Sequence, residues 1–263
     1  MDIIIFGGQS NMQGQAECLS DDKTVDKAYE YKFLGNKMVP LKNPVGEDIC
    51  YDFSEGELFN ENIDYFKWVK TAALAGACYN HTNLVPSFCK EYTELTGKEV
   101  LAVHAAKGST TISEWLEGGA SHEVFIKKIK ASIDFAGKEN VDKIYFVWLQ
   151  GESDAIYSTS KETYKNSLIK LNDTLKKEAN IDKFGIIRVG RFVKDERDDE
   201  IINAQDEICS ENSDFLMLTT IATELEKNPL YMNPNVAGHF GSKGLEKLGC
   251  EAGKTLANFE KSK

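Results

Sequence analysis

The strongest constraint on this chain is a set of five short apolar runs, at residues 3–6, 100–105, 144–149, 184–189 and 215–219. None of them alternates apolar with polar residues. A strand with one solvated face alternates, because successive side chains point to opposite faces. Runs rich in Val, Ile and Phe without that alternation describe strands covered on both faces, as in a parallel sheet. Helical spacing fills the intervals. Pro86 suits the first turn of a helix that ends at Gly97. Phe125, Ile129, Ile133 and Ala136 recur at helical period, and Leu245, Leu248, Ala252 and Leu256 mark a last helix. Tyr164, Leu168, Leu171 and Leu175 form a stripe behind Thr159-x-x-Glu162, a capping-box pattern. Strand and helix in alternation predict a three-layer α/β/α fold around a five-stranded parallel sheet.

No linker-like stretch divides the 263 residues, so a single domain over 1–263 is expected. The segment at about 16–64 is different. It is rich in Pro, Gly, Asn and acidic residues, its periodicity is weak, and it reads as a loop-rich excursion after the first strand. A formal net charge of −11 argues against a nucleic-acid partner, which would require clustered Lys and Arg. No run of 18 apolar residues predicts a membrane span. The six cysteines form no C-x-x-C pair and no zinc-ligand spacing, so free thiols in a reducing compartment are expected. The opening Met1-Asp2 and its four-residue apolar run lack the features of a secretory signal, which leans the expectation toward a cytoplasmic protein.

Three polar clusters follow directly on three of the strands, where open α/β sheets bind ligands. They are Gly7-Gly8-Gln9-Ser10-Asn11-Met12, Lys107-Gly108-Ser109-Thr110 and Gln150-Gly151-Glu152-Ser153-Asp154. His239 stands in a Gly-rich turn before the last helix. This set is sufficient for acyl transfer. A serine hydroxyl becomes a useful nucleophile when a base takes its proton, and imidazole titrates near neutral pH. A carboxylate behind the imidazole fixes its tautomer, and N–H groups in glycine turns can face a developing oxyanion.

Read together, Gly8-Gln9-Ser10-Asn11-Met12-x-Gly14, Lys107-Gly108-Ser109-Thr110-x-Ile112-x-x-Trp115, Trp148-x-Gln150-Gly151-Glu152-Ser153-Asp154-Ala155 and His239-Phe240-x-x-x-Gly244 occur in one order. That order resembles the sialate O-acetylesterase and acetyl-xylan esterase group of the SGNH hydrolases, over residues 2 to about 249. The resemblance implies a flavodoxin-like fold, hydrolysis of acetyl esters on carbohydrates of sialic-acid or xylan type, and no cofactor or metal. It implies Ser10 as nucleophile, His239 as base, and the Ser10 and Gly108 N–H groups as oxyanion donors. The Gln150 amide stands where relatives place a further donor.

The chain departs from the superfamily pattern where an Asp usually precedes the histidine by three residues. Val236 stands there, with Asn233 and Asn235 nearby. Some similar acetyl-xylan esterases use the Glu of the Gln-Gly-Glu motif, which makes Glu152 the expected acid. A Ser–His dyad oriented by a backbone carbonyl, or a pairing with Asn235, are the alternatives. Lys107, at a position more often Gly, either biases substrate choice or is simply solvated. Asp154 reads as a helix cap, His104 as a core residue, His122 as solvated, and His81 as a candidate for the cleft. Tyr51, Phe53 and Trp68 could stack on sugars or merely pack. The missing Asp also admits a carbohydrate-binding module without catalysis, and an esterase for longer acyl chains is a further possibility.

Overall fold

The computed structural model describes residues 1–20, 23–47, 76 and 81–263. In chain order its strands are β1 (Asp2–Gly8), β2 (Ala28–Lys32), β3 (Lys37–Pro40), β4 (Val100–Ala106), β5 (Ile144–Leu149), β6 (Lys183–Ile187) and β7 (Phe215–Thr219). They form one sheet in the order β3-β2-β4-β1-β5-β6-β7. The five apolar runs become β4, β1, β5, β6 and β7, adjacent and parallel throughout.

Among the described residues the expected five strands are corrected to seven. Both additions come from the segment read as loop. β2 pairs parallel with β4, and β3 returns antiparallel beside β2. Their apolar signal is weak because β2 carries Glu30 and Lys32, both buried, which pair at 2.9 Å. Buried charges need a partner, so a strand that supplies its own pair does not stand out by apolarity.

Among the described residues the α-helices are α1 (Ser10–Gln13), α2 (Val85–Thr96), α3 (His122–Ala136), α4 (Glu152–Ile156), α5 (Lys161–Ala179), α6 (Glu196–Glu211), α7 (Ala222–Leu225) and α8 (Ser242–Lys261). They cover both faces of the sheet. Tyr145 of β5 meets Tyr92 of α2 on one face, and the next residue, Phe146, meets Phe125 of α3 on the other. On that second face the Trp148 indole donates to the Tyr164 hydroxyl of α5 at 3.2 Å. Opposite, α2 and α8 lie so close that a Cβ on Gly253 would press into the Phe88 carbonyl oxygen, 3.0 Å from its carbon.

The cap of α5 is Ser160 rather than Thr159, and the Ser160 side chain accepts from the Thr163 N–H. The Thr159 hydroxyl instead donates to Asp154 at 2.8 Å, because that buried carboxylate needs donors. Asp154 therefore caps no following helix. It lies within α4 and also accepts the Ile112 N–H at 2.8 Å. From β1 the chain winds outward in both directions, to β4 on one side and β5 on the other. The crevice at the carboxyl ends of β1 and β5 is the topological switch point where doubly wound sheets take ligands.

Candidate active site

β1 delivers Ser10 into that crevice. Gly8 has φ +143, and a Cβ there would press into the Leu149 carbonyl, 2.7 Å from its carbon. The turn out of β1 thus requires glycine. Ser10 is the first residue of the short α1, and its Oγ lies 2.8 Å from His239 Nε2. The two residues are 229 positions apart in the chain.

The His239 loop is held by side chains on either side of it. Asn233 Oδ1 accepts the N–H groups of Asn235 and Val236 at 2.8 and 3.2 Å, while its Nδ2 donates to the Gln15 carbonyl at 2.7 Å. Glu17 accepts the Ser242 N–H and hydroxyl at 2.8 and 2.7 Å, fixing the start of α8. Phe192 stands edge-on to the imidazole at 6.0 Å, and Gly238, at φ +74, leaves room for that ring.

His239 Nδ1 lies 2.9 Å from the Ala237 carbonyl oxygen. A carbonyl only accepts, so Nδ1 carries the proton and Nε2 presents its lone pair to the Ser10 hydroxyl. This corrects the expected pairing with Glu152, and it also removes Asn235 as the partner. Glu152 is buried and its Oε1 accepts from Asn11 Nδ2 at 2.8 Å, while Oε2 has no partner among the described residues. Burial pushes the Glu152 carboxyl above its ordinary range, against the opposing pull of the Asn11 hydrogen bond. The carboxylate still attracts the imidazole electrostatically without touching it. Asn11 continues the chain of contacts, its Oδ1 accepting the Phe240 N–H at 3.0 Å, one residue past His239.

Gln150 is likewise corrected. It is fully buried and its amide nitrogen already donates to Thr110 O at 2.8 Å, Asp154 Oδ2 at 2.6 Å and Gln9 Oε1 at 3.2 Å. Its oxygen accepts the Tyr164 hydroxyl at 3.0 Å. No N–H is left for an oxyanion, and the residue ties three strand ends together. Gly108 does lie beside Ser10, with a notional Cβ 3.5 Å from Ser10 Cβ. Its N–H, however, donates to Gln13 Oε1 at 2.7 Å. The Ser10 N–H makes no hydrogen bond among the described residues.

The remaining candidates lie away from the pair or play other parts. His104 is buried, and burial holds its imidazole down to about 3, with the nearby Lys128 adding to the effect. Its Nε2 lies 3.2 Å from the Met12 carbonyl, so it supports the backbone of α1 from below. His122 Nδ1 pairs with the Trp115 carbonyl at 3.0 Å, and His81 is exposed. Lys107 is half-buried beside Gly108. Tyr51, Phe53 and Trp68 lie outside the described residues. Among the described residues no group of three His, Cys, Asp or Glu side chains could hold a metal.

Residues 1–257 match the family model for carbohydrate esterase, sialic acid-specific acetylesterase. The chain belongs to this family. It is a carboxylic ester hydrolase. A probable carbohydrate esterase of Arabidopsis thaliana is 28% identical over 234 residues, covering 84% of this chain and 85% of the relative. The solved structure of that plant protein superposes with a TM-score of 0.69 at 19% identity, over 98% of each chain. The NanS crystal structure superposes at 0.62 and 13% identity, over 100% of this chain and 98% of the other. These likenesses share the three-layer fold.

Three side chains of this carbohydrate esterase escaped the motif reading. Asn11 is inside a motif but carried no role. Gln13 occupies that motif's variable position. Asn83 donates to the Met12 and Gln13 carbonyls at 2.7 and 3.0 Å and locks the end of α1. Nothing in the sequence marks Asn83, because the α1 groups it holds are main-chain oxygens.

Proposed function

We propose that this esterase removes O-acetyl groups from carbohydrates of sialic-acid or xylan type by a two-step acyl-enzyme route. Ser10 is the nucleophile and His239 the base. The observation that carries the reading is the 2.8 Å contact of His239 Nε2 with Ser10 Oγ, together with a tautomer suited to accept that proton. His239 takes the Ser10 proton as Oγ bonds to the acetyl carbon. The tetrahedral intermediate collapses, and His239 returns the proton to the departing sugar oxygen. Water then enters, loses a proton to His239 and attacks the acetyl-serine. Acetate leaves and Ser10 regains its proton.

The Ala237 carbonyl orients the imidazole, and the buried Glu152 carboxyl interacts with it electrostatically from a distance. The acid's ordinary place, held by Val236, is therefore not needed to set the tautomer. The family's description and the Arabidopsis relative's name support a carbohydrate ester as substrate.

Hydrolysis of an aryl acetate by wild type and by Ser10→Ala tests the mechanism, alongside fluorophosphonate labelling of each. Loss of about 10⁶ in kcat and of the adduct is expected, since nucleophile removal from such a unit has that scale. An alanine variant with wild-type turnover refutes the reading. Acetate release from O-acetylated sialic acid and from acetylated xylo-oligosaccharides then ranks the sugars.

A further inference from the structure

We infer that the Gln15 carboxamide is a catalytic donor of this site, its Nε2–H meeting the acyl oxygen as that atom gains charge. This rests on the reading of Ser10 as nucleophile.

Gln15 reaches the crevice through the turn that ends α1. Gly14 has φ +90, its N–H donates to the Ser10 carbonyl at 2.9 Å, and a Cβ on it would lie 2.8 Å from the Thr82 carbonyl oxygen. That turn requires glycine. Residue 15 follows directly, and its side chain comes back beside the nucleophile. A notional Cβ on Gly108 would lie 3.1 Å from Gln15 Nε2 and 3.5 Å from Ser10 Cβ. The same point is 3.3 Å from Gln13 Oε1, and an acceptor so near favours the NH₂ branch of Gln15 on this side. The Gln15 main chain is fixed, its carbonyl accepting Asn233 Nδ2 at 2.7 Å. Asn233 also shapes the His239 loop, so nucleophile, base and this carboxamide share one frame.

The Gln15 side chain is half-buried and makes no hydrogen bond among the described residues. The other amides of the crevice are engaged. Gly108 N–H donates to Gln13 Oε1 at 2.7 Å, and the Gln150 amide nitrogen faces three acceptors. Polar groups withdrawn from water find partners. An amide placed beside a nucleophile with no protein acceptor is placed for one that arrives with the substrate.

Ester chemistry supplies that acceptor. As Ser10 Oγ bonds to the acetyl carbon, the carbonyl π pair moves onto its oxygen, which then requires donors. The Ser10 N–H, without a partner among the described residues, is one. Gln15 Nε2–H is a second, and it serves with Gln13 and Gly108 left where they stand. When the intermediate collapses, the pair returns to the carbonyl and the sugar oxygen leaves with the proton from His239. Gln15 keeps both of its amide protons throughout.

The experiment measures kcat and KM on an aryl acetate, and the rate of fluorophosphonate labelling, for wild type, Gln15→Met and Gln15→Glu. Ser10→Ala is the control, and thermal midpoints are taken for all. Methionine keeps the length and removes the donor. A fall in kcat of about 10²-fold is expected, the scale for loss of one oxyanion donor, with KM little changed. Labelling should slow as well, because the phosphoryl oxygen takes the place of the acyl oxygen. The thermal midpoint should hold, since the side chain gives up no hydrogen bond among the described residues. Glutamic acid donates when protonated and repels the oxyanion when ionised. The Gln15→Glu to wild-type ratio of kcat should therefore be highest at acid pH and fall as pH rises, which a merely structural role would not produce. Wild-type kcat in the methionine variant overturns the proposal, as does an effect confined to KM or a ratio that stays flat with pH. The ratio decides even if the methionine variant fails to fold. Turnover retained by Ser10→Ala would instead refute the nucleophile, and the proposal with it.

Discussion

Replacing Asn11 with alanine should destabilise the fold by an amount set by the charge on Glu152. Asn11 makes two buried hydrogen bonds, to Glu152 Oε1 at 2.8 Å and from the Phe240 N–H at 3.0 Å. Glu152 is 4% exposed and its other oxygen has no partner among the described residues. Truncation therefore strands both oxygens of a buried carboxylate and one buried N–H. A hydrogen bond to a charged group contributes about 1.5–3 kcal/mol, and a stranded neutral donor costs about 1–3 kcal/mol. The expected loss is about 3–5 kcal/mol at neutral pH. In a Glu152→Gln background the charge is absent and the loss should shrink to about 1–3 kcal/mol. The pH dependence follows from the raised Glu152 carboxyl. The folded protein holds that proton to higher pH than the unfolded chain does. The stability contributed by this group is thus fully present below the ordinary carboxylate range and is lost as pH rises. Asn11 opposes that loss, so the alanine penalty should be smaller at pH 4 than at pH 7. Urea unfolding of the four proteins of the cycle at both pH values measures all of this. Equal penalties in the two backgrounds and at the two pH values would show that Asn11 does not carry the Glu152 charge.

Gly253→Ala should cost about 1–3 kcal/mol by forcing α2 and α8 apart, read as a lower thermal midpoint. Gln150→Ala should lower the urea midpoint strongly, by about 2–4 kcal/mol, since it strands several buried partners. A folded variant of wild-type stability with depressed kcat would instead return Gln150 to the oxyanion site. His104 is held down to about 3 from 6.5, so the stability it contributes is present above about 6.5 and lost as pH falls toward about 3. His104→Gln should remove that part of the acid sensitivity, and its urea midpoint should gain on wild type as pH is lowered.

The parallel sheet was legible because apolar runs report burial on both faces, and β1, β4, β5, β6 and β7 owe their covering to helices. β2 was not, because Glu30 and Lys32 are buried as a pair and pairing is a property of space rather than of composition. The same division runs through the site. Ser10, His239 and Gly108 meet because each follows a structural element that the sequence marks, namely a strand, a glycine turn or the start of a helix. Glu152 also lies where its strand end should place it. What spacing did not encode was the choice between two acceptors for His239 Nδ1, a carboxylate on α4 and a carbonyl two residues away in the same loop.

That choice has a physical logic. A carbonyl from the imidazole's own loop needs no distant chain segment to arrive in register, and it fixes the tautomer as firmly as a carboxylate does. It stabilises the imidazolium less, because it carries no net charge. Glu152 is buried nearby and acts on the imidazole electrostatically through a low-polarity interior, where screening is weak. Asn11 holds that carboxyl by a hydrogen bond from its Nδ2 to Oε1 at 2.8 Å. On the proposed mechanism, orientation and charge, united in the Asp of a conventional triad, are divided between Ala237 and Glu152. Loss of the Glu152 charge in Glu152→Gln should therefore lower kcat while leaving the geometry of His239 in place. Crystallography of that variant, with kcat measured across pH, distinguishes this from a direct pairing. An imidazole that abandons the Ala237 carbonyl when Glu152 is neutralised would mean that the carboxylate had set its orientation all along.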